Sequence, residues 1–116
     1  MATGGDHPAH TISTHVLDTE RGVPAAGVRV TLYRLDVGEG RPVRMTQALT
    51  DGDGRVRDLL ERPLQAGDYR LEFDVAHEAG SFFTKLAVEM RITDTERSYH
   101  IPLLLAPYQM TTYRGS

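Results

Sequence analysis

DYRLEFDV, residues 68–75, alternates without interruption: Tyr69, Leu71, Phe73 and Val75 stand on one side, Arg70, Glu72 and Asp74 on the other. Successive side chains of an extended chain point to opposite faces, so this pattern predicts a strand with one face in a core and one in water. The same reading extends in both directions. Gly27–Leu35 alternates with Val28, Val30 and Leu32 opposite Arg29, Thr31 and Tyr33, and Val43–Thr50 is a weaker strand candidate. Downstream, Lys85–Thr93 sets Leu86, Val88, Met90 and Ile92 against Lys85, Glu89 and Arg91. Arg97–Ala106 then sets Tyr99, Ile101, Leu103 and Leu105 on one face.

At the other end, Ile12, Thr14 and Val16 share one face and Ser13, His15 and Leu17 the opposite one. Turn-forming residues separate these runs: Asp18–Pro24, Asp36–Pro42 with Gly38 and Gly40, Asp51-Gly-Asp-Gly54, and Leu59–Gly67 with Pro63. Ala76–Ala79, ahead of Gly80, is long enough for one short helical turn and no more. Short alternating runs without a sustained helical period predict an all-β, antiparallel-rich sandwich.

A chain of 116 residues fits one domain with one core. The expected division is a flexible polar tail over residues 1–10 and a single domain over residues 11–116. A formal charge of −3 with interspersed signs argues against nucleic acid and anionic membrane as partners. The absence of cysteine excludes disulfides, thiolate metal sites and a thiol nucleophile. The N-terminal residues carry neither a basic segment nor an apolar one of the secretory kind, and the longest strongly apolar run is Ile101–Ala106. A soluble, cytoplasmic protein is the expectation.

Alternation also places the chemistry. His15 and His100 fall opposite the apolar faces of their strands, together with Leu17, Pro102 and Leu104. An apolar patch on an outer face points to a subunit contact, so both histidines would stand at an interface. Pro102 inside a strand signals an edge or a bulge, because it has no N–H for the ladder. The Asp51–Gly54 turn does not suit calcium: in the loop register starting at Asp51, Arg55 takes the fifth position and Arg62 the twelfth, where acidic ligands belong. What the turn does is present Arg55 at its exit. His7 and His10 have no further ligands nearby, and His77 reads as an exposed residue.

Taken singly, a strand histidine is usually a solvated or hydrogen-bonded residue, and Arg55 a surface charge. No Ser-His-acid arrangement, nucleophile elbow or distinct carboxylate pair is present in the pattern. A two-histidine hydrolytic or binding site is therefore one reading among several at this level. The end of the sequence, Tyr113-Arg114-Gly115-Ser116, bears an aromatic, a guanidinium, a glycine and a hydroxyl, and is expected to fold into a site.

Five segments considered together narrow the choice: Thr14-His-Val-Leu-Asp18, Gly54-Arg55, Tyr99-His-Ile-Pro-Leu-Leu-Leu105, Pro107-Tyr108 and Tyr113-Arg-Gly-Ser116. They resemble the 5-hydroxyisourate hydrolases, the transthyretin-related enzymes of urate degradation, over Thr11–Ser116. The resemblance implies a transthyretin-like sandwich of two four-stranded sheets with one short helix. It also implies a homotetramer, a dimer of dimers with its sites at the dimer–dimer interface. The reaction would be hydrolytic opening of 5-hydroxyisourate to 2-oxo-4-hydroxy-4-carboxy-5-ureidoimidazoline, with no metal and no cofactor.

The residues carried over are His15, Arg55, His100 and Ser116 as catalytic groups. His15, Arg55, Tyr113, Arg114, Gly115 and Ser116 would bind substrate, with Tyr113 and Arg114 holding the tail. Two departures stand out: Ala106-Pro-Tyr-Gln-Met110 where the enzymes commonly read Ser-Pro-Tyr-Gly-Tyr, and Thr84 where a proline follows the aromatics. Neither removes a proposed catalytic group. The rival expectations are a non-catalytic transthyretin-like carrier and a generic sandwich interaction module.

Overall fold

The computed structural model describes residues 10–116. The expected flexible tail therefore lies outside the described residues except at His10. Ten strand segments form: β1 (Ile12–Asp18), β2 (Val23–Pro24), β3 (Arg29–Arg34), β4 (Val43–Leu49), β5 (Arg55–Val56), β6 (Gly67–Asp74), β7 (Lys85–Ile92), β8 (Tyr99–His100), β9 (Leu103–Ala106) and β10 (Gln109–Thr112).

One sheet has the order β4-β3-β6-β7 and is antiparallel throughout. In the other, β1 is central. On one side it pairs antiparallel with β5 and then β2; on the other it runs parallel to β8 and then β9, with β10 beyond β9. Six segments thus fill four positions across this sheet, which reconciles ten short segments with two sheets of four.

The parallel line of β8 and β9 keeps a single register, Ile12 facing Tyr99 and Val16 facing Leu103. Only Pro102 interrupts it, for want of an N–H. It is not an edge signal here, because both flanks are occupied. The ladder is carried across the gap by side chains: Thr14 Oγ1 donates to the Ile101 carbonyl at 2.6 Å and Thr112 Oγ1 to the Pro102 carbonyl at 2.8 Å. Thr14 is buried, so its hydroxyl and that carbonyl satisfy one another in a dry interior.

The core lies between the sheets and is made by the alternating positions. Ile12, Val16, Leu103 and Ile101 from one sheet meet Val30, Leu32, Leu71, Phe73 and Ile92 from the other. Tyr69 is buried too, and its hydroxyl donates to the Gln65 carbonyl at 2.6 Å.

The short helix expected at Ala76–Ala79 does not form; among the described residues there is no helix. The segment makes two successive tight turns, with Glu78 N–H donating to the Val75 carbonyl and Ser81 N–H to the Glu78 carbonyl. Asp74 Oδ1 accepts the Ala76 N–H and Gly80 takes a positive φ of 76°. Four residues closed at both ends by turn chemistry cannot recover the cost of helix nucleation.

Candidate active site

The outer face of the β1 sheet carries the candidate chemistry, and strand register assembles it. His15 on β1 stands directly opposite Arg55 on β5, and Ser13 on β1 stands beside His100 on β8. All four side chains are partly buried. Three separate strands thus bring two imidazoles, a guanidinium and a hydroxyl to one face.

Arg55 owes its place to the turn before it. Asp51 Oδ1 accepts the backbone N–H groups of Asp53 at 2.9 Å and Arg55 at 3.0 Å. These donated bonds, that of Arg55 foremost, hold the Asp51 carboxyl below its ordinary pKa. Gly54 completes the turn with φ of 75°, and its carbonyl accepts the Val16 N–H at 2.7 Å. A Cβ at Gly54 would lie 2.4 Å from the Val16 carbonyl oxygen, so only glycine lets this turn approach β1. Among the described residues Arg55 forms no ion pair, whereas Arg34 and Arg70 are matched to carboxylates.

His100 is the most constrained of the four. Ser13 Oγ lies within hydrogen-bond distance of Nδ1, at 2.9 Å. Burial, followed by the charges of Arg55 and His15, pushes the imidazole pKa below its ordinary value. That shift favours the neutral ring, which has a lone pair available for a proton.

The final residues divide between two places. Gly115 N–H donates to the His100 carbonyl at 2.7 Å, and Ser116 O lies 3.5 Å from the His100 nitrogen, so the tail lies alongside β8. Gly115 also packs on Pro102, which is buried. That corrects the expected outward apolar patch: Pro102 is covered within the chain, and Leu17 and Leu104, paired in register, remain half-buried on the outer face.

Tyr113 and Arg114, by contrast, line a cleft of about 400 Å³ on the opposite side of β8, where Tyr99 and Ile101 meet Val88, Met90 and Ile92 of β7. This cleft opens at the edge between the sheets and does not include His15, Arg55 or His100. The structure therefore groups His15, Arg55, His100, Gly115 and Ser116, and leaves Tyr113 and Arg114 apart. Ser13 had no motif to mark it; the one available signal was its position two residues before His15 on the same strand face.

Among the described residues no group of three or more His, Cys, Asp or Glu side chains converges as a metal site would require.

This two-sheet sandwich, whose central strand bears a histidine, with an arginine on one neighbouring strand and a second histidine on the other, is of the transthyretin-like class. The chain belongs to the HIUase/Transthyretin family, whose model matches residues 12–115. The 5-hydroxyisourate hydrolase of Deinococcus radiodurans is 44% identical over 120 residues, spanning 95% of this chain and 98% of that protein. The solved 5-hydroxyisourate hydrolase of Klebsiella pneumoniae is similar with a TM-score of 0.79 at 35% identity, covering 92% of this chain and 99% of that one. Sea bream transthyretin in complex with thyroxine gives a TM-score of 0.80 at 26% identity, covering 89% and 92%.

Proposed function

We propose that this chain is a 5-hydroxyisourate hydrolase, opening the six-membered ring of its substrate to give 2-oxo-4-hydroxy-4-carboxy-5-ureidoimidazoline. The observation that carries the reading is the register of β1: it sets His15 against Arg55 and Ser13 against His100 on a single face. Fold similarity does not separate hydrolase from carrier. Identity does, at 44% and 35% to the hydrolases against 26% to transthyretin.

The chemistry required is a deprotonated water, stabilisation of the developing oxyanion and a proton for the departing ring nitrogen. His100, neutral at working pH, takes the proton as water adds to the ring carbonyl. The carbonyl π-electrons move onto oxygen, where the Arg55 guanidinium stabilises the charge. Collapse breaks the C–N bond, and the leaving nitrogen receives a proton from the imidazolium. His15, on the same face, orients the substrate and assists that transfer. Ser116 donates to substrate or water, and Tyr113 and Arg114 anchor the tail that carries it.

The half-buried Leu17 and Leu104 beside the site support a homotetramer, a dimer of dimers with this face at the dimer–dimer contact. Sizing the protein in solution tests that assembly. The activity is tested by ultraviolet assay on freshly generated 5-hydroxyisourate, scored against its spontaneous decay. His100→Ala and Arg55→Ala should each lower turnover by on the order of a hundredfold while the assembly persists. Wild-type rates in either variant would refute the assignment.

A further inference from the structure

His100 is gripped at both atoms that flank its Cγ. Ser13 Oγ is 2.9 Å from Nδ1. On the other side, Gly115 packs so closely that a Cβ there would sit 3.1 Å from Cδ2. At the distal edge of the ring, Nε2 makes no hydrogen bond among the described residues, whereas Nδ1 does. A ring held in this way can present Nε2 either as a lone pair or as an N–H, and the bond at Nδ1 decides which.

We propose that Ser13 is a positioning residue whose hydroxyl oxygen accepts the His100 Nδ1–H, leaving Nε2 as the proton-accepting atom. The proposal rests on the hydrolase reading and assigns a task within it. An accepting hydroxyl suits both states of the ring. The neutral ring donates its one proton at Nδ1; after Nε2 takes a proton from water, the imidazolium still donates at Nδ1 to the same oxygen. Ser13 keeps its own proton throughout, and the bond need not be rebuilt during turnover. The reverse arrangement, with Ser13 donating to Nδ1, would place the proton on Nε2 and leave nothing there to receive one from water.

The choice of a hydroxyl over a carboxylate is also consistent with the surroundings. The charged and titratable groups facing His100 are Arg55 from β5 and His15 from β1, and the tail contributes the backbone groups of Gly115 and Ser116. A carboxylate at Nδ1 would raise the imidazole pKa strongly, whereas a neutral acceptor orients the ring with a smaller shift.

The test uses the full chain, with Ser13→Ala and Ser13→Thr. Turnover is measured against pH, and the His100 tautomer is read by long-range ¹H–¹⁵N NMR. Wild type should show His100 protonated at Nδ1 at pH 8. Ser13→Ala should mix the tautomers, lower kcat by on the order of tenfold with KM nearly unchanged, and move the acid limb of the rate profile to lower pH. That direction follows because removal of an acceptor costs the imidazolium more than the neutral ring. Ser13→Thr, which restores the hydroxyl, should recover most of the rate.

Full activity in Ser13→Ala overturns the proposal, as does an acid limb moved upward, the sign of a hydroxyl that donates to the neutral ring. Should Ser13→Ala fail to fold, the wild-type spectrum decides: His100 protonated at Nε2 overturns the proposal and protonation at Nδ1 supports it. A wild type that does not accelerate ring opening refutes the hydrolase reading itself, whereas an active wild type matched by Ser13→Ala refutes only the part given to Ser13.

Discussion

Gly115 and His100 are joined twice: the glycine N–H donates to the histidine carbonyl at 2.7 Å, and the glycine Cα faces the imidazole edge with little room for a side chain. The tail is thereby tied to the residue proposed above as the base. A Cβ at position 115 would stand 3.1 Å from His100 Cδ2 and 3.3 Å from Pro102 Cδ. Gly115→Ala should displace the tail or the ring by a few tenths of an ångström and lower kcat/KM by about three- to tenfold; Gly115→Val should cost about a hundredfold. Thermal unfolding should change little in either, since residue 115 is exposed. Equal activity in all three proteins would show that the tail does not position His100.

The pH dependence of activity should report a neutral base. Burial and the charges of Arg55 and His15 lower the His100 pKa, so the acid limb of kcat/KM should fall below the ordinary histidine value of about 6.5. Arg55→Gln removes one of the positive charges that disfavour the imidazolium, and the His100 pKa should rise. NMR titration of the imidazole checks this independently of turnover, and a value that stays put or falls would contradict it. The same shift bears on stability. An unfolded His100 binds its proton more tightly than the folded one, so stability is complete above about pH 6.5 and declines as pH falls towards the folded pKa.

Gly54 carries a stability prediction. With φ of 75° and the Val16 carbonyl oxygen 2.4 Å from any Cβ, Gly54→Ala meets both backbone strain and a backbone clash. A loss of at least about 2 kcal/mol is expected, measured by urea unfolding. Because the turn sets Arg55 opposite His15, activity should fall even at temperatures where the variant remains folded.

Thr14→Val keeps the shape of a buried side chain and deletes the 2.6 Å bond to the Ile101 carbonyl. That carbonyl sits beside the break at Pro102 and would lose this partner. The expected cost is about 1–3 kcal/mol, again by urea unfolding. A neutral substitution would mean that the carbonyl finds another donor.

The strand faces were legible because period-two alternation is local: Tyr69, Leu71 and Phe73 announce an inward face, and each is buried. The outward placement of His15 and His100 followed by the same rule. The turn at Ala76–Gly80 misled, because a four-residue helical turn and two tight turns draw on the same short polar composition, and the hydrogen bonds that the Asp74 carboxylate accepts from Ala76 N–H and the Val75 carbonyl from Glu78 N–H decide between them. Pro102 misled in a similar way: its missing N–H marks an interruption, and only the side chains of Thr14 and Thr112 allow that interruption within a sheet.

The sequence by itself determined the fold class, the faces of the strands and the identities of His15, Arg55 and His100 as candidates, since each depends on neighbours a few residues away or on motifs read whole. Tertiary structure alone decided which strands lie side by side. Register across β1 joins residues 13 and 100, and 15 and 55, through contacts whose cost is paid by the whole core and which no local pattern encodes. From that register comes the Ser13–His100 bond, and burial with the charges of Arg55 and His15 lowers the pKa of the imidazole on which the proposed chemistry depends.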